Sequence, residues 1–548
     1  MAATRDPYQV IAQRKQAARS QLIPKEWLIP ESSLKDYTSS PTASVLDVPK
    51  DCGIMTTHEL DITESHDAVD LLEMLKKGPS QGGYGVEEVM TAFCKRAAIA
   101  QQVTNCLTEI FFDAAIERAR KLDSEREKNP TQTLPPLWGL PMSLKDSFKI
   151  PGFDATIGLV HFADQPCDEY SALPKLLFEL GAVFYCKTNV PQTMMTADSE
   201  NNVFGRTMNP HNRALTAGGS SGGEGALIAM RGSIIGIGTD IAGSIRIPSH
   251  CCGIYGFKPS ANIVPYAGQQ SPVAKGMPGI LPVAGPMATS MRSCEFMMKT
   301  IMSNQPWKVD VDCLHIPWQG LQAPNGGKLR IGVLEDEEMF TATPPMRRAL
   351  RQATDKLQKA GMELVEVKLP NVAQDIGTVW TSFSWEGSKT VLDYISSADE
   401  PLVESVKRIG LVAMPSKSLQ DLFSWNVARH KAETAYRDVW LENKLDAVIN
   451  PLAPHTATPL DCWAAVAQAL WNFVDYPSCI IPTGKVEPGD VVDHAAKYGE
   501  NDEKVYAMYT GPDDYRGAPT TVQLIGMKQE DERLAVMARI VDHVLNGQ

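Results

Sequence analysis

The chain has little sulfur chemistry, little histidine and no excess of positive charge. Its 548 residues include 11 cysteines. The number is odd, the positions are scattered and no CxxC pair occurs, so neither a disulfide framework nor a thiolate metal site is expected. The adjacent Cys251 and Cys252 cannot both ligate one metal at the usual spacing. Only 10 histidines occur, and none stands in an HxH or HExxH arrangement, which removes the common zinc-hydrolase signatures. Lysine and arginine number 52 against 65 aspartates and glutamates, a net charge of −13. A nucleic-acid surface needs a basic stripe that this balance disfavours. No apolar run is long enough to span a bilayer; the richest, 225–237, is broken by Arg231. Residues 1–6 lead into a polar segment without the apolar core of a secretory signal. A cytoplasmic protein with reduced thiols, no metal, no cofactor and no membrane or nucleic-acid partner is expected.

What is present is ordinary for a globular enzyme: 43% hydrophobic and 21% charged residues. Residues 1–55 read as an arm that packs on a larger body. A helix over 8–21 is followed by Pro24, Pro30, Pro41 and Pro49, a spacing that breaks long elements. Beyond it, Thr63 is expected to cap a helix whose apolar residues Ala68, Leu71, Leu72 and Leu75 recur at helical spacing and which stops at Gly78-Pro79. Further helices are expected from Val86, from 113 to 127 and over 171–180. Strands are expected at the end of 137–146, over 182–187 and over 233–239. The second half repeats the alternation, with strands near 329–333, 364–367, 446–450 and 521–525, and helices over 346–360, 405–445 and 530–545. This pattern predicts an α/β fold: a single large domain, 56–548, with a central mixed β-sheet covered by helices on both faces.

The densest information lies between Ser220 and Ser244. The run Gly218-Gly219-Ser220-Ser221-Gly222-Gly223-Glu224-Gly225 is followed by Gly238-Thr239-Asp240-Ile241-Ala242-Gly243-Ser244-Ile245-Arg246. Glycine at this density weakens regular structure and is tolerated where backbone amides must approach a ligand. A helix over 222–231 rises roughly 15 Å, and a strand over 233–239 travels about 23 Å. If the chain reverses at Gly232, the loop 240–246 returns beside Ser220. The two serines then become neighbours at a helix N-terminus with free N–H groups. Amides of the tight turn over 241–244 can hold an oxyanion formed when a carbonyl is attacked.

A serine nucleophile needs a base, and three readings compete. His250 follows Ser244 by six residues, but is expected to be a packed structural histidine. Gly218-Gly219-Ser220-Ser221-Gly222 matches the G-x-S-x-G elbow of α/β-hydrolases, yet the residues before it read as loop rather than the required strand. Lys145, in Gly139-Leu140-Pro141-Met142-Ser143-Leu144-Lys145-Asp146, would on its own be a strand-end lysine reaching solvent.

Taken together, the SLKD, GGSSGG and GTDI-x-GSIR segments resemble the amidase signature family in order and spacing. Residues 92–102, 188–193 and Gly517-Ala518-Pro519 are similar to its fungal acetamidase branch; the likeness is weakest over 305–440. The resemblance implies a Ser–Ser–Lys triad of Lys145, a bridging Ser220 held by a cis peptide, and an acyl-forming nucleophile at Ser244. It places oxyanion amides on Ile241, Ala242, Gly243 and Ser244, substrate contact at Met194 and Ser220, and bracing of the loop at Asp240 and Arg246. It implies hydrolysis of a carboxylic acid amide to the acid and ammonia or an amine, with a lean toward small or general amides and no cofactor. An amidotransferase-type subunit that supplies ammonia to an acceptor is the alternative. Family members are often dimers, which leaves a homodimer open. Two departures stand out. Ala242 replaces the family's usual glycine, and Ser249-His250-Cys251-Cys252 replaces smaller residues, which is expected to reshape the pocket wall.

Overall fold

Strands covered on both faces must be apolar throughout or satisfy every polar group inside the protein. Val183–Thr188 and Ile235–Asp240 are buried along their whole length, and they lie near one end of a large sheet. The computed structural model describes residues 6–464 and 466–547. In chain order its strands are β1 (Leu107–Ile110), β2 (Pro141–Lys145), β3 (Val183–Thr188), β4 (Glu200–Asn201), β5 (Gly205–Arg206), β6 (Ile235–Asp240), β7 (Tyr255–Lys258), β8 (Val283–Ala288), β9 (Arg330–Val333), β10 (Glu363–Glu366), β11 (Ala447–Asn450), β12 (Ser478–Lys485) and β13 (Pro519–Ile525). One 11-stranded sheet runs β1-β3-β2-β6-β8-β7-β12-β13-β11-β9-β10, and β4 and β5 form a separate hairpin.

The sheet is mixed, as predicted. β3, β2 and β6 are mutually parallel, β9 is parallel to β10 and β11, and the joins between these blocks are antiparallel. The helix Gly222–Ala229 packs on β2, β3, β6 and β8. Met291–Ser303 packs on β7 and β8, and Pro344–Lys359 and Asp531–Asn546 pack on β12 and β13. Four strands of the large sheet escape the sequence pattern, β1, β7, β8 and β12, as do β4 and β5 of the hairpin. The reason is clearest in β8, where Gly285 and Pro286 carry no strand signal. Gly285 is required because a Cβ there would collide with the Phe257 carbonyl on β7.

Thr63 does not cap the helix assigned to it. It lies in the last turn of the preceding helix, Thr57–Glu64, and donates to Glu59 O at 3.0 Å. The cap of Ala68–Lys77 is Asp67, whose carboxylate accepts from Val69 N at 2.9 Å and Asp70 N at 3.0 Å. Both residue types suit the role; the polar residues between them hid the break.

The described part of the N-terminal segment, 6–55, buries Ile23, Trp27, Ile29, Val45 and Val48 in the main core. Residues 1–5 lie outside the described residues. Its first helix, Tyr8–Gln21, runs beside the edge strand β1, where Arg19 Nη1 donates to Leu107 O at 2.5 Å. Lys15 bridges Glu109 at 2.6 Å and Asp154 at 2.9 Å. Covering the open carbonyls of an edge strand blocks further pairing there.

The glycines before Ser244 serve packing more than ligand approach. A Cβ on Gly223 would lie 2.5 Å from Cys106 O and nearer still to Asn189 N, and one on Gly218 would lie 2.7 Å from the Pro248 backbone. The helix Gly222–Ala229 can therefore press directly on the backbone beyond β3. We expect Gly223→Ala to cost about 2–3 kcal/mol of unfolding stability, read from a urea transition. Gly377→Ala, where a Cβ would meet nothing within 4 Å, is expected to leave stability equal or slightly higher. Equal transitions for the two variants would contradict this packing argument.

Candidate active site

Parallel strands place their C-terminal ends at one edge of a sheet, and open α/β sheets bind ligands there. Lys145 ends β2 and Asp240 ends the neighbouring β6. Lys145 does not reach solvent: it is fully buried, and no ion pair involves it among the described residues. Its Nζ lies 2.6 Å from Ser220 Oγ and 2.7 Å from Thr239 Oγ1. Burial lowers its pKa to about 7, against the opposing pull of the Asp240 and Glu224 charges. Glu224 is buried on the same side and accepts from Ser143 Oγ at 2.6 Å and Thr188 Oγ1 at 3.0 Å. Burial pushes its carboxyl up to about 7, while those hydroxyls and Lys145 oppose the rise. The site therefore holds its amine by desolvation rather than by a counter-ion.

Ser220 lies two residues before the first residue of the helix Gly222–Ala229, next to its N-cap Ser221, and its peptide bond with Gly219 is cis. The return to β6 turns through Arg231, at φ +57°, rather than through Gly232. The two serine segments meet as expected: Ser221 N donates to Ser244 O at 3.2 Å. The expectation of free amides at this helix start does not hold. Gly222 N donates to Ser199 Oγ at 3.1 Å and Gly223 N to Asn189 O at 3.0 Å. These bonds fix the position of Ser220 and take the Gly222 and Gly223 amides out of reach of a ligand.

That loop, 240–246, is braced from inside. Asp240 is fully buried and accepts from Gly243 N at 2.7 Å, Ile245 N at 3.1 Å and Asn472 Nδ2 at 2.9 Å. Arg246 Nε donates to Asp240 Oδ2 at 3.0 Å, and its Nη1 reaches Gln468 O and Gln523 Oε1, each at 2.9 Å. Burial alone would raise the Asp240 pKa, but Arg246, Lys258 and Asn472 hold it well below the carboxylate range. Of the four amides expected to face an oxyanion, that of Gly243 is thus already engaged. Among the described residues, those of Ile241, Ala242 and Ser244 have no acceptor. Ala242 sits without a positive φ, whereas Gly243 lies at +118°. The alanine methyl is therefore accommodated where the turn does not require glycine.

Ser220, Ser244, Ile241, Thr239 and Met194 all line one cavity of about 160 Å³. Met194 also borders a smaller recess of about 70 Å³ shared with Ala242, Trp380 and Trp463. Met194 and its neighbour Thr193 hold φ values of +57° and +72°, an uncommon conformation for such side chains. Ser249, His250, Cys251 and Cys252 line neither space, so they do not reshape the pocket wall. His250 is fully buried, its Nδ1 2.7 Å from Thr521 Oγ1 and its Nε2 2.9 Å from His455 O. Burial lowers its pKa to about 4. Both ring nitrogens are engaged, which leaves a packed structural histidine. Among the described residues, no group of three or more His, Cys, Asp or Glu side chains gathers at metal-binding range.

Sequence reasoning missed Thr239 as the second partner of Lys145, Glu224 beneath it, and the far wall of the cavity. Phe383, Glu386, Val391, Ile409 and Leu411 of that wall come from one segment that carries no recognisable motif. Thr239 was open to inference from its place beside Asp240 at the strand end. Asp240→Asn removes the charge opposite a buried guanidinium. We expect it to cost about 3–5 kcal/mol of stability and to lower turnover more than substrate affinity. A variant with wild-type stability would contradict the bracing role.

A family model described as Amidase matches residues 88–535. An amidase of Gibberella moniliformis is 35% identical over 98% of this chain and 99% of its own length. An acetamidase of Emericella nidulans is 34% identical over 98% of each chain. The solved structure of a fatty acid amide hydrolase covers 98% of this chain and 95% of its own, at 29% identity and a TM-score of 0.93. With its sheet, its helices and nearly its whole length shared with amide hydrolases, the chain belongs to the amidase signature family and is an enzyme that hydrolyses amides.

Proposed function

We propose that hydrolysis runs through an acyl-enzyme on Ser244, with Ser220 relaying protons and Lys145 as the base. The observation that carries this reading is a fully buried lysine, its pKa lowered to about 7, with Nζ 2.6 Å from Ser220 Oγ. An uncharged amine has one lone pair. With an N–H donated to Thr239 Oγ1, that lone pair is available for the Ser220 proton. Ser220 in turn takes the proton of Ser244, whose Oγ attacks the amide carbonyl. The amides of Ile241, Ala242 and Ser244 receive the developing negative charge. The relay then returns a proton to the departing nitrogen, without which an amide cannot break, and later activates water to release the acid.

The acyl group is placed in the cavity beside Met194. One water needs about 10–15 Å³ on this scale, so about 160 Å³ admits on the order of ten non-hydrogen atoms. Much of the wall is apolar, including Met277, Ile280, Phe383 and Leu411. Relatives are named for acetamide and for fatty acid amides. The cavity favours apolar acyl groups of intermediate length while admitting acetyl.

Four measurements test the reading. Ammonia release across straight-chain primary amides of two to ten carbons is expected to peak within the series rather than at acetamide. Ser244→Ala should abolish both turnover and labelling by a fluorophosphonate probe; full labelling of the variant removes Ser244 from the role. Lys145→Ala should lower kcat by about 10²–10⁴-fold at pH 7.5, and unchanged kinetics would exclude the relay. The pH profile has a definite sign. Lys145 accepts a proton only when neutral, so kcat/KM should fall as pH drops through about 7 and level off above it. A profile flat from pH 5.5 to 8.5 contradicts a lysine base.

A further inference from the structure

The cavity beside Ser244 carries one carboxylate. Glu386 lines it among mostly apolar neighbours, and no lysine, arginine or histidine lines it to offset the charge. The residue is half-buried. Its Oε2 accepts from Thr390 Oγ1 at 2.7 Å and its Oε1 from Ala274 N at 3.4 Å. An ionised carboxylate offers about four acceptor sites, so capacity remains after both contacts. Among the described residues Glu386 forms no ion pair; Lys389, three residues on, is paired with Asp393 and attracts Glu386 only at longer range. Two nearby polar wall residues are satisfied by the backbone: Ser382 Oγ donates to Val379 O and Ser388 Oγ to Leu411 O. Glu386 is thus held in a fixed place, with acceptor capacity to spare, within the space that also holds Ser244.

We propose that Glu386 is a specificity-determining residue that receives a hydrogen-bond donor or cationic group on the acyl part of the substrate. The class of substrate it favours is amides of ω-amino or ω-hydroxy acids over amides bearing a second carboxylate. This rests on the placement of the acyl group in the cavity given above. The physical basis is asymmetric. A chain ending in an ammonium supplies the missing donors, and a chain ending in a carboxylate meets a like charge where water is partly excluded. Glu386 is only half-buried, so solvent screens both effects and discrimination of about tenfold is expected rather than thousands.

The test uses the purified full chain and three matched series of four to eight carbons: alkanamides, ω-aminoalkanamides and monoamides of dicarboxylic acids. The measured quantity is the ratio of kcat/KM for the amino member to that for the carboxylate member at each length. At the best-fitting length, the wild-type ratio is expected to exceed about ten. Glu386→Gln keeps the size and an acceptor for Thr390, and should lower that ratio about tenfold. Glu386→Lys should invert it. A ratio near one in the wild type at every length, or a ratio unchanged in both variants, overturns the assignment. Turnover of the neutral alkanamides is read separately. If they are hydrolysed without any preference for charge, the role of Glu386 falls and the amidase reading stands.

Discussion

Removing an amine from water without giving it a counter-ion is the constraint on which this site depends. A lysine in water binds its proton with a pKa near 10.4; Lys145 is fully buried and its pKa lies near 7. The nearest charges, Asp240 and Glu224, oppose that shift, so desolvation must outweigh them. Asp240 is itself neutralised by Arg246, and Glu224 lies in a region that raises its own pKa to about 7. Both arrangements weaken the field that would otherwise keep the lysine protonated. The consequence for stability has a sign. Between about pH 7 and the unfolded pKa, the unfolded chain binds the proton that the folded chain has lost, so this residue makes stability rise with pH. Below that window the full penalty of the buried amine is present. The fold carries that cost at the proposed catalytic centre, and such centres are a common place for locally unfavourable groups.

What holds Ser220 against the amine, and Ser244 in the neighbouring loop, is mostly backbone. Ser220 is fixed because the amides after it are bonded to Ser244 O, Ser199 Oγ and Asn189 O. Ser244 is fixed because Asp240 gathers the amides of the same turn. The glycines let these backbones approach each other, and a methyl group at Gly223 or Gly218 would separate them. The region therefore reads as a packing device first. Its remaining free amides, those of Ile241, Ala242 and Ser244, are the few that packing does not use.

Much of this was legible in the residues, and the limits have physical causes. The helix–strand run between Ser220 and Ser244 was readable from glycine punctuation and apolar runs, and the return of the chain followed from helix and strand rise alone. The α/β alternation predicted the mixed sheet, although β8 was hidden by Gly285 and Pro286. Lys145 was not legible in isolation, because a lysine at a strand end usually reaches solvent. Only the resemblance placed it in the centre, and only the packing shows it dry. The partners of Arg246 could not be found by spacing, since Gln468 and Gln523 lie more than two hundred residues away. The wall that includes Phe383, Glu386 and Leu411 was illegible for a different reason. A cavity wall needs only shape and polarity, which many sequences satisfy, so it leaves no motif.

The central claim is that Lys145 is uncharged in the resting enzyme near neutral pH. The most direct measurement is an NMR titration of the lysine ε-carbons in ¹³C-labelled protein, with the Lys145 signal assigned by its loss in Lys145→Met. The account predicts a midpoint near pH 7 for that one resonance. A midpoint above pH 9, as for an ordinary exposed lysine, would contradict it.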